Sequence, residues 1–268
     1  MTGGSLLAPV PALAAETDTV ALRDPLFISD LHLSEAQPAT LERFLRFARE
    51  IAATHRELLI LGDLFEYWAG DDDLASGVGR TVAEALHALA GQGVAVFVMQ
   101  GNRDLLLGRG FARAAHATLL ADPALATLPD GAVLLAHGDA YCTLDTEYQR
   151  FRAQVRDPDW QRGFLARPLD ERRAFIGAAR AASESVKKTK PTDIMDVTPA
   201  AIDGALRAAE LTTIIHGHTH RPAAHRWTLD GQTAERWVLP DWDFDAAPAR
   251  GGYVIRTARG LCAIDLAR

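Results

Sequence analysis

Short apolar runs recur along the chain at PLFIS (25 to 29), ELLIL (57 to 61), VAVFV (94 to 98), AVLLA (132 to 136) and TTIIH (212 to 216). Runs of this length, rich in Val, Ile, Leu and Phe, predict strands that are apolar on both faces. Between the first three lie helical patterns. Leu41, Phe44, Leu45, Ala48 and Ile51 repeat at spacings of three and four, which puts one buried face on a helix. Strand, helix, strand alternation predicts βαβ units and a parallel sheet core. After residue 220 the runs shorten to HRWTL, ERWVL, GYVIR and LCAID, with turn residues such as Asp230 and Gly231 between them. That part reads as antiparallel.

Between Asp139 and Met195 the strand pattern stops and helical spacing takes over, with Tyr148, Phe151 and Val155 on one face and Phe175, Ile176 and Val186 farther on. Asp157, Pro158 and Pro168 break this stretch into pieces. The pattern predicts a helical insertion, or cap, over about residues 140–195 of a domain spanning 25–268. Thr198 followed by Pro199 reads as the N-cap and first position of the helix that leads back into TTIIH. Residues 1–24 are expected to be a flexible tail. They have no Lys or Arg before Arg23, and two prolines interrupt their apolar part, which argues against a secretory signal. No apolar run approaches the ~18 residues of a spanning helix.

Composition narrows the classes. A chain of 268 residues that is 48% hydrophobic can bury a large core. Cys142 and Cys262 form no framework of spaced pairs, so neither a structural disulfide nor a thiolate zinc site is expected, and any metal ligands would be nitrogen and oxygen atoms. The net charge of −7 argues against nucleic-acid binding through a basic surface. Residues 150–190 nevertheless carry 11 Lys and Arg against 5 Asp and Glu, a local surplus of +6. That surplus suits an anionic ligand or an anionic membrane surface, with a solvated mixed-charge helix face as the plain alternative.

The chemistry gathers where the strands end. Asp30 and His32 follow the first run, Asp63 the second, and Asn102, Arg103 and Asp104 the third; His137 and Asp139 follow the fourth, and His218 and His220 the fifth. Open α/β sheets bind their ligands at this carboxyl edge. Carboxylates, neutral imidazoles and an amide oxygen form a donor set for divalent metals, and a carboxylate such as Asp63 can bridge two of them. Two metals can clamp both oxygens of an in-line phosphoryl displacement. His216, at the strand end behind this group, reads as a packing or supporting residue rather than a ligand. His55, His87, His116 and His225 fall outside the motifs.

The strings DLH, GD, GNRD, HGD and GHTH, in this order, resemble the motifs of the calcineurin-like metallophosphoesterases. SDLHLS, GDLFEYWAGDD, the HGDxxC stretch at 137 to 142, IMDV at 194 to 197 and IHGHTHRP at 215 to 222 are most similar to one branch of them. That branch cleaves the pyrophosphate of UDP-2,3-diacylglucosamine during lipid A synthesis. The resemblance implies an α/β, four-layer αββα sandwich with a helical cap, and two Mn2+ ions per chain. It implies that Asp30, His32, Asp63 and His220 hold one ion, and Asp63, Asn102, His137 and His218 the other. Asp63, Asn102, Arg103 and His137 would be catalytic. Substrate contacts would fall on Asn102, Arg103, Asp145, Ser183, Lys187, Lys190 and His218.

The implied partners are the acylated UDP-sugar and an anionic membrane surface, with the protein peripheral on the cytoplasmic face of the inner membrane. Neither nucleic acid nor a protein partner is expected. The apolar residues Trp160, Phe164, Leu165, Phe175 and Ile176 would line a surface for acyl chains. An enzyme acting on a soluble nucleotide is the alternative within this family, and it would not need such a cap. A scaffold with a degenerate metal site is a different class, set against it by the intact ligand positions. At Arg103 the family at large often carries His, a candidate acid for alkoxide leaving groups. A phosphate monoester leaving group, with a second pKa of about 6, needs little protonation, and an arginine that stabilises spread phosphoryl charge suits it better.

Overall fold

The computed structural model describes residues 18–75, 77–187 and 192–267. Its apolar runs form two six-stranded sheets packed face to face. One sheet holds β2 (Pro25–Ile28), β3 (Glu57–Leu61), β4 (Ala95–Met99) and β5 (Ala117–Leu120) in parallel, with β11 (Gly252–Thr257) antiparallel to β2 and β12 (Gly260–Asp265) antiparallel to β11. The other has the order β1 (Thr19–Ala21), β6 (Ala124–Leu128), β7 (Gly131–Ala136), β8 (Thr213–His216), β10 (Gln232–Val238) and β9 (Ala223–Leu229). In this second sheet β7, β8 and β10 run parallel to one another.

The unbroken apolar runs follow from burial on both strand faces. Leu26, Ile28, Leu58 and Ile60 face outward, to helices α1 (Pro38–Glu50), α2 (Gly77–Gly91) and α3 (Arg109–Ala115). Phe27, Leu59 and Leu61 face inward and meet Leu135, Ile215 and Trp237 of the second sheet. Leu134, Ala136 and Ile214 face outward again, to Ala201, Ile202, Ala205 and Leu206 of α7 (Pro199–Ala209). The layers are helix, sheet, sheet, helix.

Two sequence expectations change. Thr19–Ala21, placed in a flexible tail, pair in parallel with β6, because the adjoining Leu22 is buried between the sheets; residues 1–17 lie outside the described residues. The antiparallel reading of the segment after residue 220 holds for the β9–β10 and β11–β12 pairs, but β10 joins β8 in parallel. Strands β5 and β6 had no distinct signal, since Ala and Thr interrupt their apolar positions. Thr198 does stand at the N-cap of α7, yet its hydroxyl lies 2.8 Å from that of Thr143 rather than on a helix N–H.

The segment read as a cap forms α4 (Thr146–Val155), α5 (Pro158–Leu165) and α6 (Leu169–Lys187). Phe164 is buried rather than exposed for a ligand: it stacks on Trp160 at 4.8 Å and meets Phe175 edge-on at 5.3 Å. Leu165 and Phe175 remain exposed. Arg172, buried in the first turns of α6, bonds the Asp72 carboxylate and the carbonyls of Ala69 and Arg167. Arg172→Met removes these donors and leaves the buried Ala69 carbonyl without its partner. It should lower stability by about 2 kcal/mol, read as a denaturation midpoint shift with an unchanged slope, and should speed amide exchange in α6.

Candidate metal centre

Five strand ends, three from one sheet and two from the other, converge on one spot. Asp30 follows β2 and Asp63 follows β3, and the two turns are tied together by backbone. Asp30 N donates to Gly62 O at 3.1 Å, while Leu31 N and His32 N both donate to Asp63 O, at 2.9 and 3.0 Å. Asp30, His32, Asp63, His218 and His220 all have φ between 50° and 69°, a left-handed conformation that side chains with a Cβ rarely adopt. Each such residue costs about 1–3 kcal/mol. The strain is spent on geometry: a left-handed residue after a strand turns the chain sharply and aims the side chain along the sheet edge.

Glycines make the close approach possible. A Cβ at Gly101 would fall on the carboxylate and backbone N of Asp63, and one at Gly217 would fall on Asp30 and Ser29. The GN and GH dipeptides are therefore packing requirements of the two acids.

Asp30 uses one oxygen structurally. Its Oδ2 accepts from Ser29 Oγ at 2.5 Å and from His218 N at 2.8 Å, while Oδ1 is buried without a hydrogen-bond partner. That free oxygen faces His220 Nε2 at 3.5 Å and His32 Nε2 at 4.0 Å, and the two imidazole nitrogens are 3.2 Å apart. Asp63 lies between two groups: Oδ2 is 3.8 Å from His32 Nε2, and Oδ1 is 3.7 Å from His137 Nε2. Asn102 Oδ1 sits 3.0 Å from His137 Nε2 and 2.8 Å from His218 Nδ1. Asp30, His32 and His220, and separately Asp30, Asp63 and His137, bring ligand atoms within 4.8 Å of one another, close enough to hold a metal ion.

Charges in this pit shift strongly. Burial opposes ionisation of Asp30, but the neighbouring His220, with His137 and His32, outweighs it and holds the carboxyl far below the usual range. Burial likewise disfavours charge on His137, yet Asp63, Asp139, Asp30 and Asp122 push it up to about 9. Burial and the neighbouring His137 take His218 down to about 3, so its ring is neutral and able to donate a lone pair. His216 is fully buried, with Nδ1 2.8 Å from Gly217 O, and burial lowers it to about 4; it packs beneath the site.

The other expected residues divide. Arg103 lies beside the site, its backbone N donating to Asp63 Oδ1 at 2.8 Å. Asp104, grouped with the strand-end candidates, turns away and accepts from Gly101 N and Leu64 N, both at 2.8 Å, so it braces two loops. Asp139 is fully buried and engages Tyr148 Oη at 2.6 Å and Arg152 Nε at 2.9 Å, with Arg156 3.6 Å away. Asp145 caps α4, accepting from Tyr148 N. Ser183 and Lys187 fall in α6 with side chains outside the described set, and Lys190 lies outside the described residues.

Several neighbours escaped the sequence reading. Tyr148 stacks on His218, with ring centroids 6.1 Å apart. Glu66 Oε2 lies 2.9 Å from His32 Nδ1, and Asp241 Oδ2 lies 3.4 Å from His220 Nδ1. The available signal was an acid inside an apolar stretch just past a strand, FEYW for Glu66 and PDWD for Asp241.

Two sheets with metal-competent residues at their strand ends fit a metallophosphoesterase. The chain belongs to the calcineurin-like phosphoesterase family, whose model matches residues 25–222. It is similar to the UDP-2,3-diacylglucosamine hydrolase of Aromatoleum aromaticum, 52% identical over 82% of this chain and 90% of the relative. The proteins of the same name from Bordetella pertussis and Chromohalobacter salexigens are 46% and 49% identical, over 92% and 85% of this chain and 97% and 91% of their own lengths.

Gly101→Ala and Gly217→Ala should each abolish metal binding while far-UV circular dichroism stays native, because the displaced atoms are Asp63 and Asp30. A second expectation concerns pH. A metal at His137 must displace the proton that the surrounding carboxylates hold up to about 9. Apparent affinity in a chelator competition titration should therefore rise with pH, by up to about tenfold per unit, and level off above that value.

Proposed function

We propose that the protein hydrolyses the pyrophosphate of UDP-2,3-diacylglucosamine to UMP and 2,3-diacylglucosamine 1-phosphate, a step of lipid A synthesis. The observation that carries the reading is the convergent set of oxygen and nitrogen donors at the strand ends. A divalent cation fits them: the buried Asp30 Oδ1 is at hydrogen-bond distance from no partner, and the Nε2 atoms of His32 and His220 face each other 3.2 Å apart beside it. Asp30, His32, Asp63 and His220 would hold one ion, and Asp63, Asn102, His137 and His218 the other. Manganese suits this ligand set, as do iron, cobalt and zinc. When bound, the ions supply Lewis-acid charge to the phosphoryl oxygens and make water more acidic.

The chain's own residues do the rest. Water attacks the α-phosphorus and releases its proton to solvent, the bond to the bridging oxygen breaks, and the sugar 1-phosphate departs as an anion that needs no general acid. Arg103 stabilises the charge spread over the transferred phosphoryl group. Beside it opens a cavity of about 1010 Å³ bordered by His32, Arg103, Tyr67, Trp68, Arg173 and Arg180. Its size and mixed lining suit a sugar with acyl chains. Asp145, Ser183, Lys187, Lys190, Asn102, Arg103 and His218 remain the proposed substrate contacts.

The exposed Phe151, Leu165 and Phe175 on α4 to α6, together with the basic surplus there, support peripheral attachment to the anionic cytoplasmic face of the inner membrane. Among the described residues no helix is long and apolar enough to cross a membrane.

Mass spectrometry of products from the acylated UDP-sugar tests the reading. UMP and the diacyl sugar 1-phosphate are expected, and turnover confined to soluble dinucleotides would overturn it. Arg103→Ala should lower kcat/KM on the UDP-sugar about 10³-fold, as for other transition-state arginines, with metal content unchanged.

A further inference from the structure

His32 has two ring nitrogens with different neighbours. Nε2 faces Asp30, Asp63 and His220, while Nδ1 is 2.9 Å from Glu66 Oε2. Glu66 is well placed to fix that ring. Phe65 bridges to Leu33 in the adjacent loop, and Glu66 N donates to Leu33 O at 3.2 Å, so the acid sits on backbone already paired with the segment that carries His32.

The second oxygen of Glu66 belongs to another contact. Oε1 is ion-paired with Arg180 of α6 and lies 3.8 Å from Arg103 Nη1. Arg180 also lies over the Tyr67 ring, 5.9 Å from its centroid. Along α6, Arg173, Ile176 and Arg180 are spaced three and four apart and form one face. Arg173 pairs with Asp73, Ile176 packs against the core, and Arg180 reaches Glu66. One carboxylate thus touches the histidine on one side and the cap helix on the other.

We propose that Glu66 is a positioning residue that couples the seating of α6 to metal binding at His32. The inference rests on the reading of His32 as a metal donor. A carboxylate on the far nitrogen of a metal-binding imidazole fixes its tautomer and orientation, and losing it typically weakens binding 10–100-fold. Because Arg180 restrains the same carboxylate, releasing the helix loosens the histidine. By thermodynamic reciprocity, loading the metal holds the helix down by the same factor. The edge of the cavity is therefore ordered by the centre that will act on its contents.

The fold contains its own control. Asp241 Oδ2 is 3.4 Å from His220 Nδ1, but its arginine partner, Arg250 at 2.6 Å, comes from the loop between β10 and β11 rather than from α6. Asp241 can support its histidine without connecting it to the cap.

The test uses the full chain stripped of metal and titrated with Mn2+, followed by calorimetry and by hydrogen exchange in α6. The wild type should bind Mn2+, and α6 amides should exchange more slowly once it is loaded. Glu66→Gln should weaken one site 10–100-fold and leave α6 exchange unresponsive even at saturating Mn2+. Arg180→Gln, which keeps Glu66, should weaken binding only a few-fold and also lose the response. Asp241→Asn should weaken binding but keep the response at saturation. Mn2+ affinity unchanged in Glu66→Gln, or wild-type α6 exchange indifferent to Mn2+, overturns the coupling while leaving the metal centre intact. A wild type that binds no Mn2+ would instead sink the reading of His32 beneath it.

Discussion

Two acids that repel each other, Asp30 and Asp63, must be held side by side out of water, and the rest of the architecture serves that requirement. Burying an uncompensated carboxylate costs several kcal/mol, so each needs partners there. Compensation comes from backbone and rings. His218 N donates to Asp30 and Arg103 N to Asp63, and the imidazoles of His32, His137 and His220 surround them. The two parallel strands hold the spacing, since the segments after β2 and β3 exchange five backbone hydrogen bonds.

The sandwich decides where such a group can be built. Strands buried on both faces have no room for polar side chains along their length, so chemistry is confined to their ends. Asp30, Asp63 and Asn102 come from one sheet and His137, His218 and His220 from the other. Apolar packing between the sheets, Phe27, Leu59 and Leu61 against Leu135 and Ile215, therefore sets the distance between the two halves of the centre. The helices of the cap enter the same network through Tyr148, Arg152 and Arg156, which engage the buried Asp139 two residues beyond His137. Disturbing the cap therefore disturbs the surroundings of His137 as well as the cavity wall.

Much of this was legible in the chain. The apolar runs mark the strands because each needs hydrophobic side chains on both faces, and the residues just past them mark the centre because polar groups are excluded elsewhere. The DLH, GD, GNRD and GHTH strings carry the donors and the glycines that admit them. The helical spacing at Tyr148, Phe151 and Val155 announces α4. These are local properties: periodicity, side-chain type and backbone permissiveness are set within a few residues.

What tertiary structure alone decided is which polar residue faces the centre and which supports it. Asp104 and Asp139 stand at strand ends as Asp30 and Asp63 do, yet one braces two loops and the other pairs with cap arginines. Phe164 reads like Leu165 in sequence, but it is sealed under Trp160 while Leu165 is exposed. Glu66 stands inside the GDLFEYWAGDD string and Asp241 in no motif, but the place of each behind His32 and His220 appears only when separate loops meet. The pairing of Thr19–Ala21 with β6 has the same origin, as does the division of the strands into two sheets. Sequence determines what each segment can form, because sterics and hydrophobicity act locally. Contacts between residues far apart in the chain depend on how the sheets and helices pack, and no local pattern encodes them.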